Sequence, residues 1–266
     1  MRGIQAIDIS VTLGGRSVLQ GVSLDAAAGT LIGLIGPNGS GKTTLLRTLA
    51  GLQRRAAGSV RIDGSPIEAI ARSALARQVS YLPPGAEIHW PLTVERLVAL
   101  GRIPHLDGWQ RVRGPDHAAI NRAIDAVGAA HLIGRTVSTL STGERARVVL
   151  ARALANDPAI LLADEPVASL DLSQQLLVLD LIRDRCKGGK TAVVVLHDLS
   201  LAARYCDRTF LLHEGRVFAD GLPDAVLVPA NLRAAYGVEG ELIHHLGVPS
   251  VVALRRLDGP SSKGTP

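Results

Sequence analysis

Aromatic side chains make up only 3% of this 266-residue chain, and cysteine occurs twice and methionine once. Cys186 and Cys206 have neither metal-site nor redox-motif spacing, so a disulfide scaffold is excluded. They read as reduced packing residues of a cytosolic protein. No apolar run approaches the roughly 20 residues that a membrane helix needs. No charged-then-apolar leader follows Met1, so secretion is not expected. The formal charge is +5, with arginine far outnumbering lysine, but the basic residues are scattered and few aromatics interleave with them. No nucleic-acid partner is therefore expected; phosphate ligands or an anionic membrane face explain the basicity as well. Apolar residues are plentiful at 47%, enough for one large α/β domain or a core with an inserted subdomain.

The most informative stretch is Gly36-Pro37-Asn38-Gly39-Ser40-Gly41-Lys42-Thr43, which fills the pattern G-x-x-x-x-G-K-[ST]. The apolar run Leu31–Ile35 before it reads as a buried strand. Thr44 to Ala50 after it reads as a helix, closed by Gly51 at C′. Glycines let successive backbone N–H groups turn inward as an anion nest, and the helix N-terminus adds partial positive charge. Lys42 would reach the β- and γ-phosphates of a nucleotide, and the Thr43 hydroxyl would ligate Mg²⁺.

Along the rest of the chain, Ile4 to Leu24 alternates weakly and is broken by glycines, as expected of short antiparallel strands. Ser59 to Gly64 is another strand and turn. Between about Pro84 and Leu140 the pattern turns helical, with Thr93 as an N-cap and a second helix over Asp116 to Val127. Strand-like runs return at Ala159–Ala163, Thr191–Leu196 and Thr209–Leu212, with helical stretches between them. That alternation predicts a parallel sheet with the middle segment as a helical insertion. From Asp258 onward Gly, Pro, Ser and Lys dominate, as in a disordered tail.

Ile160-Leu161-Leu162-Ala163-Asp164-Glu165 is a fully apolar strand ending in two acids. That ending places both carboxylates at the carboxyl edge of a parallel sheet, where such folds keep their ligands. Asp164 would hold Mg²⁺ and Glu165 would lie next to an attacking water as general base. Alone, the pair reads equally well as helix-capping acids; the phosphate loop upstream favours the catalytic reading. His197 ends the Thr191–Leu196 strand at the same edge, within reach of a γ-phosphate or that water. Leu140-Ser141-Thr142-Gly143-Glu144 opens a helix running to Ala155. Ser141 and Glu144 form a capping box, which accounts for both as helix-start chemistry. The same helix N-terminus is also an anion site, and one chain already carries a full phosphate loop. A second site of this kind points to ATP held between two chains.

Taken in order, GPNGSGKT, LSTGE, ILLADEP, Ser169-Leu170-Asp171 and His197 resemble the ATP-binding subunit of an ABC transporter, over nearly the whole chain. The resemblance implies an α/β fold: a P-loop NTPase (RecA-like) core with N-terminal antiparallel strands and an inserted α-helical subdomain at about 84–145. The ATPase domain would cover residues 1–257. It implies that Gly36, Pro37, Asn38, Gly39, Ser40, Gly41, Lys42, Thr43 and Thr44 bind ATP. Thr43 and Asp164 would hold the metal, and Glu165 and His197 would be catalytic. Ser141, Thr142, Gly143 and Glu144 would face the partner subunit's ATP, and Asp171 would lie in the dimer-contact loop. Trp90-Pro91-Leu92-Thr93-Val94, Gly101-Arg102-Ile103-Pro104-His105 and the segment from His197 to Tyr205 resemble importers of iron–siderophore, haem or cobalamin. The expected assembly is a homodimer beneath a separate permease at the cytoplasmic face, served by a substrate-binding protein.

Three positions depart from that family's pattern. Pro84 stands where a glutamine usually contacts Mg²⁺ beside the permease, and proline has neither an amide side chain nor an N–H. Leu13 replaces an aromatic that stacks on adenine. Thr142 replaces a glycine of the signature. A soluble ABC ATPase without a permease and a non-hydrolysing scaffold are the alternative readings. The first often carries tandem units or long insertions, which this chain lacks; the second is disfavoured by Lys42, Asp164, Glu165 and His197 together.

Overall fold

The computed structural model describes residues 3–85, 88, 90–106 and 112–257. The expected tail at 258–266 lies outside them. In chain order the elements begin with strands β1 (Ile4–Leu13), β2 (Arg16–Ala26) and β3 (Leu31–Ile35), then helix α1 (Lys42–Leu49). Next come β4 (Ala57–Ile62), β5 (Ser65–Pro66), α2 (Arg72–Gln78) and β6 (Val79–Leu82). A helical stretch follows, with α3 (Val94–Ala99), α4 (Gly114–Ala126) and α5 (Thr142–Ala155). The chain then alternates through β7 (Ile160–Asp164), α6 (Leu172–Lys187), β8 (Thr191–Val195), α7 (Leu199–Tyr205) and β9 (Arg208–His213). It closes with β10 (Arg216–Gly221), α8 (Pro223–Val226) and the hairpin β11 (Val238–His245) and β12 (Val248–Arg256).

The central sheet has six strands in the order β10-β9-β3-β8-β7-β6. All neighbouring pairs are parallel except β10 with β9. Strands β3, β7 and β8 are buried at every residue, as expected of strands covered on both faces. The two-residue period divides their side chains between two cores. Ile32, Leu34, Leu162, Val193 and Val195 face α1 and the antiparallel sheet β2-β1-β4-β5. Leu31, Ile35, Leu161, Ala163, Ala192 and Val194 face the helices on the opposite side. Both cysteines are buried and free. Burial pushes the Cys186 thiol up to about 11 and the Cys206 thiol higher still. Cys206 packs on β3, its Sγ 2.7 Å from where a Cβ on Gly33 would sit.

The helical stretch is held by caps and buried charges. Thr93 caps α3, its hydroxyl accepting from the Arg96 N–H at 3.5 Å. Helix α4 starts two residues before the expected Asp116. Pro115 fits the first turn, and Asp116 reaches back to accept from the Arg113 N–H at 3.1 Å. Helix α5 runs unbroken from its capping box to Ala155, so the boundary expected near 145 falls inside a continuous helix. Arg147 is buried within α5 and donates to the Val127 and Gly128 carbonyls after α4. Among the described residues no helix is long and apolar enough to cross a membrane.

Candidate active site

Sheet order and register determine what meets at the carboxyl edge. β8 lies between β3 and β7, and Leu34, Val195 and Asp164 fall in one row across the three strands. The phosphate loop leaves β3, Glu165 follows β7, and His197 follows β8 by two residues. They converge on a cleft of about 230 Å³ lined by Val18, Asn38, Gly39, Gly41, Lys42, Thr43, Thr44, Glu165 and His197.

The loop turns sharply at Gly36, where φ is 143° and a Cβ would lie 2.1 Å from the Leu212 carbonyl oxygen. Gly41 precedes α1 at φ 102° and offers no side-chain cap. The first N–H groups of that eight-residue helix therefore remain for an anion. Lys42 folds back across the loop, its Nζ donating to the Gly36 and Pro37 carbonyls at 2.8 and 2.9 Å. Burial lowers the Lys42 pKa, opposed by the nearby Glu165 and Asp164.

Asp164 is 1% exposed, and its Oδ1 has no hydrogen-bond partner. Its Oδ2 accepts from the Tyr81 hydroxyl at 3.5 Å, and the Thr43 hydroxyl is close enough to hold the carboxyl group's pKa down. Burial raises the Asp164 pKa and Glu165 adds to that, while Thr43, Arg47 and Tyr81 pull it down. A buried carboxylate oxygen without a donor is costly. With a hydroxyl beside it, the pair supplies the hard oxygen donors that Mg²⁺ takes. Thr43 and Asp164 therefore fit the metal.

Glu165 adopts φ 53°, a left-handed conformation that costs a non-glycine residue about 1–3 kcal/mol and clusters at functional sites. Its Oε1 lies 2.5 Å from His197 Nε2. That contact orients Glu165 and leaves its second oxygen available.

The signature residues are not gathered into the phosphate cleft. Ser141 accepts from the Glu144 N–H at 3.2 Å, Glu144 accepts from the Ser141 N–H at 2.8 Å, and Glu144 pairs with Arg135 at 3.2 Å. Ser141 and Thr142 are exposed. Thr142 lines a separate cavity of about 350 Å³ that reaches Asp164 and Glu165 from the side of Leu82 and Pro83. Asp171 caps α6, accepting from the Gln174 N–H at 2.9 Å, next to an 80% exposed Leu172. Pro84 lies in the turn after β6, and Leu13 ends β1 at the exposed hairpin tip.

Two arrangements escaped the sequence reading. One is the line from Arg47 through Tyr81 to Asp164, in which the Arg47 Nε donates to the Tyr81 oxygen at 3.4 Å. The in-register pairing of β6 with β7 is its only signal, and strand order had to be known first. The other concerns the Gly101–His105 phrase, which forms a clamp. Arg102 pairs with Asp116 at 2.9 Å and donates to the Ala155 carbonyl at 2.9 Å. His105 meets the Asn156 side chain at 2.9 Å. A Cβ on Gly101 would come within 2.0 Å of the Arg152 carbonyl oxygen. This phrase holds the end of α5, which feeds β7 and its two acids.

The family profile described as ABC transporter matches residues 19–168. The chain belongs to the ABC transporter family. It is 44% identical over 237 residues to the hemin import ATP-binding protein of Streptomyces coelicolor, covering 89% of this chain and 84% of that protein. It is 41% identical over 229 residues to the cobalamin import ATP-binding protein of Halobacterium salinarum, covering 86% of this chain and 57% of that protein. A metal-chelate type ABC transporter solved in an inward-facing conformation shares the fold. That match has a TM-score of 0.83 at 23% identity, covering 96% of this chain and 98% of the other. The chain is thus an ATP-binding, ABC-type ATPase subunit of the importer class.

Proposed function

We propose that this ABC ATPase hydrolyses ATP as a homodimer beneath a separate permease, at the cytoplasmic face of the membrane. The cycle would drive uptake of an iron chelate, haem or cobalamin delivered by a substrate-binding protein. The observation that carries the reading is that Lys42, Thr43, Glu165 and His197 line one cleft at the sheet edge where Asp164 ends its strand, while Ser141 and Thr142 stay exposed. Residues 1–257 would act as one ATPase unit. The helices at about 84–145 would present Ser141, Thr142, Gly143 and Glu144 to the partner's nucleotide.

In each site Gly36 to Thr44 cradle the phosphates, with Lys42 released from its own loop carbonyls to meet them. Thr43 and Asp164 would hold Mg²⁺, which when bound would supply positive charge against the phosphoryl oxygens. Glu165 takes the proton of the attacking water, and His197 fixes its carboxylate. Asp171 and the exposed Leu172 lie in the contact between subunits. The importer names of the relatives and the dimeric form of an ABC cassette support this assembly.

Glu165→Gln tests it. The variant should bind Mg–ATP normally, lose about 10²–10⁴-fold in hydrolysis, and accumulate as an ATP-bound dimer in size-exclusion chromatography. Near-normal turnover would move the base elsewhere, with His197 the first suspect.

A further inference from the structure

Asp164 has two carboxylate oxygens in different settings. Oδ1 is buried and unpartnered, whereas Oδ2 accepts from the Tyr81 hydroxyl at 3.5 Å. Tyr81 is itself held from behind, its oxygen accepting from the Arg47 Nε at 3.4 Å. The three groups come from three elements. Arg47 is on α1, the helix that begins at the phosphate loop; Tyr81 is on β6; Asp164 ends the neighbouring strand β7. Parallel pairing of Leu82 with Ala163 brings the tyrosine to the acid. Both contacts are longer than ordinary hydrogen bonds and therefore weak; they run from guanidinium to phenol and from phenol to carboxylate.

We propose that Tyr81 is a positioning residue for the metal carboxylate, tethering Asp164 Oδ2 so that the unpartnered Oδ1 is left to face the metal. This rests on Asp164 holding Mg²⁺. It also bears on Pro84, three residues further along. Proline supplies no amide to link the metal to the turn after β6. Tyr81 makes such a link one strand earlier, through the carboxylate. The Tyr81 ring is half-buried, so its hydroxyl can be removed without opening the core.

The test is Mn²⁺ binding, followed by electron paramagnetic resonance in the presence of a non-hydrolysable ATP analogue. Wild-type, Tyr81→Phe, Arg47→Met and Asp164→Asn proteins are compared. Nucleotide affinity in EDTA and the melting temperature are measured on the same samples. Tyr81→Phe should weaken Mn²⁺ binding roughly 3–10-fold, the scale of one ordinary hydrogen bond, as befits a contact as long as 3.5 Å. Its metal-free nucleotide affinity should stay within about twofold of wild type on that scale. Arg47→Met should shift Mn²⁺ binding in the same direction by less, and the double variant should add little to Tyr81→Phe. Unchanged Mn²⁺ binding in Tyr81→Phe while Asp164→Asn abolishes it would overturn the tether and leave the metal site standing. Unchanged binding in Asp164→Asn would remove both. An equal loss of metal-free nucleotide affinity in Tyr81→Phe would reduce Tyr81 to general packing and also overturn the proposal.

Discussion

Alanine at Gly36 and alanine at Gly39 should separate what the phosphate loop owes to space from what it owes to backbone freedom. At Gly36 the backbone has φ 143°, and a Cβ would come 2.1 Å from the Leu212 carbonyl oxygen and 2.9 Å from Ser40 Oγ. The nearest obstacle is backbone of a central strand, which cannot give way as a flexible side chain can. The strained conformation costs about 1–3 kcal/mol, and relief of the clash requires the loop to move. A displacement energy of about 3 kcal/mol or more follows, which weakens ATP binding roughly 100-fold at about 1.4 kcal/mol per decade. At Gly39, φ is 80° and nothing lies within 4 Å of a Cβ. Only the left-handed cost of about 1–2 kcal/mol remains, an affinity loss of roughly 5–30-fold. Isothermal titration of both variants with ATP, with circular-dichroism melting as a control on the fold, gives the comparison. Gly36→Ala binding ATP within threefold of wild type, with its melting unchanged, would refute the steric account.

Asp116→Ala should destabilise the fold by about 1–3 kcal/mol at pH 7, because it removes a charged partner of the part-buried Arg102, which keeps the Ala155 carbonyl. A urea-midpoint decrease of about 0.3–1 M, for a slope near 3 kcal/mol/M, is the readout. The Asp116 carboxyl is held below its ordinary value, chiefly by the Arg113 N–H and then by Arg102. Its contribution is therefore complete above about pH 4 and is lost as pH falls through the lowered folded value. Wild type should accordingly lose more stability than Asp116→Asn between pH 5 and 2, in acid titrations monitored by circular dichroism. Pro84→Gln should raise permease-stimulated ATPase and uptake while leaving the isolated subunit's ATP affinity little changed. That comparison uses the subunit alone and with its permease in lipid, and unchanged stimulation would show that the turn couples by another contact.

The site was legible in the sequence because each part is a local pattern. A strand run, a glycine loop, a lysine at a helix start, two acids and a histidine at strand ends each carry their own signal. Parallel alternation of strands and helices is enough to put strand ends on one edge. Strand order is not local, however. It is the placement of β8 between β3 and β7 that puts His197 2.5 Å from Glu165, and the β6–β7 pairing that puts Tyr81 beside Asp164. The Gly101–His105 phrase resembled importers, and its side chains hold the end of α5. The hairpin β11–β12 and the short helix α2 gave no readable period. Half of the hairpin's residues face solvent, so apolar alternation does not mark it. Helix α2 has no buried residue, so no apolar stripe existed to be read.

Mixed dimers test whether each ATP site is completed by the signature of a second subunit. Lys42→Ala disables the phosphate loop and Ser141→Arg blocks the signature, each on a separate chain. A dimer of the two variants keeps one intact composite site and one doubly damaged one. ATPase activity of confirmed mixed dimers should exceed that of either variant alone and approach half of wild type if the sites fire independently. Mixed dimers no more active than the parents would contradict a signature that acts across the interface with one site sufficient.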